Sequence, residues 1–389
     1  MTETTACPVG QGRDDRKSGA LAAAHSHPAK GSVHVRGFDE LRRLFRSAEA
    51  VQGMPGAKAF GSGSDPDHMP VFFLDGEPHR RRRQAIAQYF TPRAITGRYH
   101  EVIERTCDAI VTQLRRDGSG PLDLLAFKLA VDVTADVIGL TESESDALAR
   151  RLRTLLDGKL AQHSNPLIRV FGMARVMFHL QRFNREHVQP AVKARRSEPR
   201  HDVISHMIRE NYSKRAMLLE CMIYGTAGMV TTRELITMAC WHMLEDDDLR
   251  QRYLAGSEDD QFAIVEEILR LEPVAGMLYR KVPSQDGGET MYTLDIRAAN
   301  FDEALTGPCP YQLDPDRPKR AKANRQFMSF GDGAHRCPGA QLALHEARIF
   351  LDRILRLPGI RLVGKPRFEW SKAVMGYELR DAVIACDRA

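Results

Sequence analysis

The sequence predicts a mostly α protein, one large helical domain with small strand regions. Apolar residues recur at helical spacing over long stretches, the longest at 213–246. Strand-like runs are short and sit at 291–296 and within 360–386. No internal repeat occurs, and no linker separates two cores along the 389 residues.

In chain order, 38–46 reads as a short amphipathic helix and 80–90 as a basic helix behind Gly76-Glu77-Pro78-His79. Residues 99–116 carry Val102, Ile103, Cys107, Ile110, Val111 and Leu114 on one face. Helices are expected at 122–138 and 142–156, then a long amphipathic stretch at 167–196, read as one helix or two. The central helix of 34 residues would span about 51 Å at 1.5 Å per residue. Another helix is expected at 262–271. Prolines and glycines then accumulate across 272–330, where helix gives way to short pieces. The last helix follows Gly339 and runs to about Leu355.

Composition removes several classes. With 43% hydrophobic and 28% charged residues, collagen-like, coiled-coil and wholly disordered chains are excluded. No apolar run is long enough for a transmembrane helix, so no membrane partner is expected. A formal charge of +5 is too dilute to argue for nucleic acid. Residues 1–19 are polar and the apolar cluster 21–24 ends at His25, unlike a secretory signal. Residues 1–31 read as a mobile tail, 32–389 as the domain, and the location as cytoplasmic. Cys7, Cys107, Cys221, Cys240, Cys309, Cys337 and Cys386 are scattered without a C-x-x-C pair, so mostly free thiols are expected, with no disulfide framework or structural zinc site.

The most informative stretch is Phe330-Gly331-Asp332-Gly333-Ala334-His335-Arg336-Cys337-Pro338-Gly339. Glycines surround a cysteine at the mouth of an apolar helix. Glycine allows tight turns and close approach of backbone to a bulky planar group. A helix N-terminus favours negative charge. Both suit a thiolate held under a metal macrocycle; the alternative is a Gly-rich turn with an inert cysteine.

The stretch resembles F-G-x-G-x-H-x-C-x-G, the haem-ligand loop of the cytochromes P450, and further matches follow in that family's order. The resemblance implies the mostly α cytochrome P450 fold, with haem between the long central helix and the cysteine loop. It implies haem b (iron protoporphyrin IX) with Cys337 as iron ligand, and Phe330, His335 and Gly339 as haem contacts. Ala227-Gly228-Met229-Val230-Thr231-Thr232 resembles the oxygen-binding segment A-G-x-[D/E]-T-T. Thr231 would then hydrogen-bond dioxygen, with Thr232 and Gly228 in support and a local helix distortion freeing carbonyls. Read alone, these threonines could simply bond back to the i−4 carbonyls.

Glu267-Ile268-Leu269-Arg270 matches E-x-x-R, whose spacing puts both charges on one helix face. The family pairs them with a later arginine, here Arg317, as a structural lock. Glu77-Pro78-His79 with Arg83 resembles P-x-H-x-x-x-R, and His79, Arg83, Arg280 and His335 are the implied partners of the haem propionates. Arg80 and Arg82 are read as solvent-facing. Pocket-lining candidates, by position relative to these motifs, are Met229, Val230, Val274, Ala275, Met277 and Met375.

Departures matter too. Val230 stands where the family carries an acid linked to proton delivery, the I-P-x-G turn near 298–300 is missing, and 51–74 is brief and Gly-rich. The expectation is a monooxygenase that hydroxylates a small, secondary-metabolite-like molecule. Its partners would be dioxygen and a ferredoxin or flavodoxin with an NAD(P)H reductase. The alternatives are a member performing oxidative coupling or peroxide-driven chemistry, and a non-catalytic haem sensor.

Overall fold

The computed structural model describes residues 28–54, 69–156, 165–321, 325–371 and 375–389. Most of the expected N-terminal tail, and 55–68 of the Gly-rich region, lie outside the described residues. The elements run β1 (Val33–Val35), α1 (Phe38–Arg46), β2 (Val51–Gln52), α2 (Gly76–Ala87), α3 (His100–Asp117) and β3 (Ser119–Pro121). Next come α4 (Leu122–Ile138), α5 (Ser145–Leu156), α6 (Pro166–Phe183), α7 (Gln189–Ser197), α8 (Val203–Arg209) and α9 (Lys214–Glu245). Then follow α10 (Asp247–Ala255), α11 (Glu258–Leu271), β4 (Met277–Pro283), β5 (Glu289–Asp295), α12 (Ile296–Asn300) and α13 (Ala340–Leu355). The chain closes with β6 (Arg361–Val363), β7 (Arg367–Ser371), β8 (Gly376–Arg380) and β9 (Val383–Ala385).

Helix dominates and the sheets are small, as the periodicity predicts. The differences have local causes. α11 begins before Phe262 because Ser257 and Asp260 form a capping box ahead of the apolar run. α2 begins at Gly76 rather than Arg80, and α5 at Ser145 rather than Glu142. The stretch 167–196 is two helices, α6 and α7, joined by a π turn at Asn184–Val188. α8 is too short and α10 too short and polar to show a period, and β4 lies in the Pro- and Gly-rich region. Cys309 is disulfide-bonded, whereas Cys107, Cys221, Cys240, Cys337 and Cys386 form no disulfide. Among the described residues no helix is long and apolar enough to cross a membrane.

The described chain divides into two compact units. The first takes residues 1–59, 111–123 and 234–389. Its main sheet has the order β1-β5-β4-β2, with β4 and β5 an antiparallel hairpin and β1 parallel to β5. α1 lays Phe38, Leu41 and Phe45, at i, i+3 and i+7, onto Val35, Leu294, Ile296, Ala299 and Met328. Smaller sheets, β3-β9-β6 and β7-β8, complete this unit with α10, α11 and α13.

The second unit takes residues 60–110 and 124–233. α4 is buried nearly all round, with Ala126, Leu129, Ala130, Val131 and Val133 fully enclosed. A helix that is apolar on every side needs neighbours on every side. α9 is one unbroken α-helix of 32 residues, about 48 Å long, and residues 214–233 of it belong to this unit.

Candidate active site

Within the first unit, the stretch Phe330–Gly339 forms a tight loop ahead of α13. Gly331 and Gly333 both have left-handed φ, +69° and +67°. A Cβ on Gly333 would lie 2.1 Å from the Phe45 carbonyl oxygen, so only glycine fits there. Asp332 caps the following turn through the Gly333 N–H, and its carboxylate pairs with Arg46 at 2.8 Å and Arg42 at 3.4 Å. These partners hold the Asp332 carboxyl below its ordinary range against the opposing cost of its partial burial. The Cys337 N–H donates to the Phe330 carbonyl at 2.9 Å and closes the loop. Cys337 is half-buried and outside any disulfide, and α13 starts three residues later, after Gly339.

The loop is tied to the helices around it. Arg336 donates to Gln326 at 2.8 Å, and Gln326 in turn donates to Glu266 on α11. Asn300, at the end of α12, accepts from the Met328 N–H at 2.9 Å and donates to the Ser329 hydroxyl at 2.9 Å.

Glu267, Arg270 and Arg317 form one buried cluster. Arg270 grips Glu267 in a bidentate pair, both bonds 2.8 Å, and Arg317 donates to the same carboxylate at 3.0 Å. The remaining guanidinium N–H groups are spent on backbone. Arg270 reaches Asn300 O and Pro310 O, and Arg317 reaches Thr306 O, Cys309 O and Gln312 O. A buried charge is tolerable only when so fully satisfied. The cluster pins the chain that leads into the cysteine loop.

Arg280, on β4, is buried beneath the main sheet. Its guanidinium donates to Gln52 Oε1 at 3.2 Å and Tyr279 O at 2.8 Å, and lies 5.1 Å from the centre of the Phe45 ring. His335 sits on the turn just before Cys337, half-buried. Val274, Ala275, Met277 and Met375 gather at one corner of this unit, where the Gly276 N–H donates to Met375 O at 3.0 Å. Val274 and Met277 are buried there, and Met375 adopts a left-handed φ of 49°.

In the second unit, His79 and Arg83 stand one turn apart on α2. His79 is buried and Arg83 half-buried. Arg80 points outward and pairs with Glu77 at 3.0 Å. Arg82 does not face solvent, contrary to the sequence expectation. Positions 79, 82 and 86 share the inward face of α2, and Arg82 lies 3.3 Å from Glu220 and over the Tyr212 ring.

Gly228, Thr231 and Thr232 lie on α9. The local distortion expected there is absent. Thr226 and Thr231 donate their hydroxyl protons back to Met222 O and Ala227 O, and the helix continues. Gly228 has a packing role: a Cβ there would come within 2.6 Å of Thr134 Oγ1 on α4. On α9 Ala227 is exposed and Thr231, one turn on, is half-buried, so the two open one face. Thr232 and Val230 are buried. Met229 is also buried and does not line the open face, because two residues turn it about 200° from Ala227.

These residues fit the haem that the resemblance implies. A thiol is offered on a glycine turn with no room for a side chain at Gly333. His79, Arg83, Arg280 and His335 carry N–H donors of the type that buried carboxylates need. α9 presents a small, open face of Ala227 and Thr231 that a planar group can cover. Sequence reading missed Glu220 and Arg82. The signal available for Glu220 was its i, i+4, i+11 spacing with Tyr224 and Thr231.

Comparison with known proteins agrees. The sequence model of the family described as Cytochrome P450 matches residues 262–357, which contain the E-x-x-R pair and the cysteine loop. The chain is 25% identical to Cytochrome P450(MEG) of Priestia megaterium over 377 residues, 91% of this chain and 86% of that one. It is 26% identical to the erythromycin C-12 hydroxylase of Saccharopolyspora erythraea over 335 residues, 80% of each. The crystal structure of CalO2 superposes with a TM-score of 0.75 at 22% identity, covering 94% of each chain. A cysteine-bearing glycine loop, the E-x-x-R lock, the fold and relatives matched over most of their length together place the chain in the cytochrome P450 family, the haem-thiolate monooxygenase-type oxidoreductases.

Proposed function

We propose that this enzyme hydroxylates a small, largely apolar molecule of the secondary-metabolite kind, using haem b and electrons from a ferredoxin- or flavodoxin-type donor with its NAD(P)H reductase. Residues 32–389 act as one domain in the cytoplasm. Bound haem supplies the redox chemistry of dioxygen activation. Cys337 holds the iron through its thiolate, within the turn that Phe330 and Gly339 bound. His79, Arg83, Arg280 and His335 hold the propionates, and the Glu267–Arg270–Arg317 lock keeps the cysteine loop in register.

Thr231 on the open face of α9 is the observation that carries the reading. Its hydroxyl proton is committed to Ala227 O, so its lone pairs face the open side and accept a hydrogen bond there. Thr232 and Gly228 keep this part of α9 closely packed. Val274, Ala275, Met277 and Met375 give the substrate an apolar wall. The named activity of the Saccharopolyspora relative, a hydroxylase, supports the reaction class.

Val230 favours a second reading, because it leaves Thr231 without an adjacent acid. A peroxide-driven reaction, including a peroxide-driven oxidative coupling, draws less on delivered protons because peroxide brings its own.

Two measurements separate the readings. Cys337→His is expected to abolish the thiolate-type absorption of the ferrous carbon monoxide complex while haem is retained. A band that survives unchanged removes Cys337 from its role. Thr231→Ala is expected to lower product per reducing equivalent sharply and to raise peroxide release. Unchanged coupling sinks the hydroxylase reading in favour of the second.

A further inference from the structure

The face of α9 that carries Thr231 continues toward the helix N-terminus. Glu220, Tyr224, Ala227 and Thr231 follow at spacings of four, three and four, which keeps them within one stripe. Glu220 and Thr231 are about 16 Å apart along the axis. Along this stripe Glu220 is buried, Tyr224 and Thr231 are half-buried, and Ala227 is exposed. The stripe therefore leads from the interior of the second unit to the open face.

Glu220 is unusual. Its Oε1 accepts from the Val71 N–H at 2.9 Å and lies 3.3 Å from Arg82. Its Oε2 is buried with no hydrogen-bond partner. A buried carboxylate oxygen without a donor is costly, and a proton on it removes the cost. Beside it is a cavity of about 10 Å³, the room of a single water, lined by Arg82, His206, Tyr212, Glu220 and Tyr224. Burial outweighs the pull of Val71 and Arg82 and pushes the Glu220 carboxyl up to about 7. The other ionisable groups facing it are accounted for. Arg82 on α2 is its cation, with Arg83 acting on Tyr224. Burial lowers His206 on α8 and so favours its neutral form, and burial raises the Tyr224 phenol.

We propose that Glu220 is the proton reservoir for oxygen activation, feeding protons through the single-water cavity and the Tyr224 hydroxyl along the stripe to Thr231, in place of the acid that Val230 removes. This rests on the reading of Thr231 given above. The balance is simple. Hydroxylation consumes two protons and two electrons per dioxygen, one oxygen entering product and the other leaving as water. The electrons come from the donor protein. Each proton leaves Glu220, every hydroxyl or water on the way gives up one proton and gains one, and the carboxylate regains its proton from solvent. Glu220 and Tyr224 touch neither substrate nor haem in this scheme; they act through Thr231.

The test compares wild type with Glu220→Gln, Glu220→Asp, Tyr224→Phe and Thr231→Ala as haem-loaded proteins. The carboxyl carries its proton below about 7 and loses it above. Wild-type coupled turnover is therefore expected to fall as pH rises through neutrality. Glu220→Gln, which keeps the acceptor for Val71, is expected to lose that pH dependence and to lower coupled turnover by about tenfold or more. Glu220→Asp should recover part of it, and Tyr224→Phe should resemble Glu220→Gln. A readout without turnover is the protonated-carboxyl infrared band of the resting protein. It should titrate near neutrality and vanish in Glu220→Gln. Should Glu220→Gln fail to fold, Tyr224→Phe and the wild-type band decide. Unchanged coupling and pH profile in Glu220→Gln or Tyr224→Phe, with Thr231→Ala uncoupled, overturns the reservoir and leaves the hydroxylase reading standing. Unchanged coupling in Thr231→Ala overturns both. Absence of a Glu220 band titrating near neutrality overturns the reservoir alone.

Discussion

Gly228 shows how a single missing atom sets the site. Its position suggests a helix weakened for oxygen binding, yet α9 is unbroken and the glycine serves contact with α4. A methyl at 228 would meet Thr134 Oγ1 at 2.6 Å and Cγ2 at 3.0 Å. Thr134 is β-branched, nearly buried and stiff in its helix, so it cannot step aside cheaply. Overpacking of this kind costs about 1–3 kcal/mol, against a helix-propensity gain near 1 kcal/mol. Gly228→Ala is expected to lower Tm, and adding Thr134→Ala to restore most of the loss. Equal Tm for Gly228→Ala and wild type would show that α4 and α9 are less closely packed than this.

Between elements, the buried charges do the joining. Glu267 and Arg270 lie one turn apart on α11, but their partners come from the chain between α12 and the cysteine loop. Removing the carboxylate leaves two arginines, nearly or wholly buried, without their anion. Glu267→Ala is expected to cost roughly 3–5 kcal/mol, seen as a lower denaturant midpoint with little change in slope. A change confined to the slope would point to the unfolded state. Arg195 plays a similar part elsewhere, joining Asp202 at 2.5 Å and Glu142 at 2.8 Å, so α7 is tied to the segment ahead of α8 and to the one ahead of α5. α2 adds a similar join through Arg82 and Glu220, where burial pushes the carboxyl up to about 7.

For the molecule as a whole, the modest charge of +5 hides a basic neighbourhood at the cysteine loop. Arg42 and Arg46 flank Asp332 with much of their side chains exposed, and Arg336 precedes the thiol. Acidic electron carriers dock faster on such a surface. Reduction by a ferredoxin or flavodoxin is expected to slow as ionic strength rises, because exposed charges are screened beyond about 10 Å at 0.1 M salt. Stopped-flow reduction across a salt series measures this, and a flat response rules out electrostatic docking near Arg46.

What the sequence determined by itself was local. The α1 and α4 boundaries follow from apolar periodicity, and Phe330–Gly339 is a contiguous stretch whose glycines fix their own turns. The Glu267–Arg270 pair was visible because one helix turn separates the two residues. Other features depend on residues far apart in the chain. The burial of Arg82 against Glu220, 138 positions away, inverted the expectation that Arg82 faces water. The helix at Ala227–Thr231 stays regular, and Gly228 instead makes room for Thr134, 94 positions away, which no local pattern encodes. Met229 turned inward because the phase of α9 is set by packing along its whole length. The short β4, α8 and α10 lack the length to show a period and are held by neighbours instead. The sequence thus decides which segments become helix or turn, since those choices rest on residues within a turn or two. Burial of a polar group depends on what another part of the chain brings against it, and only the tertiary structure decides that.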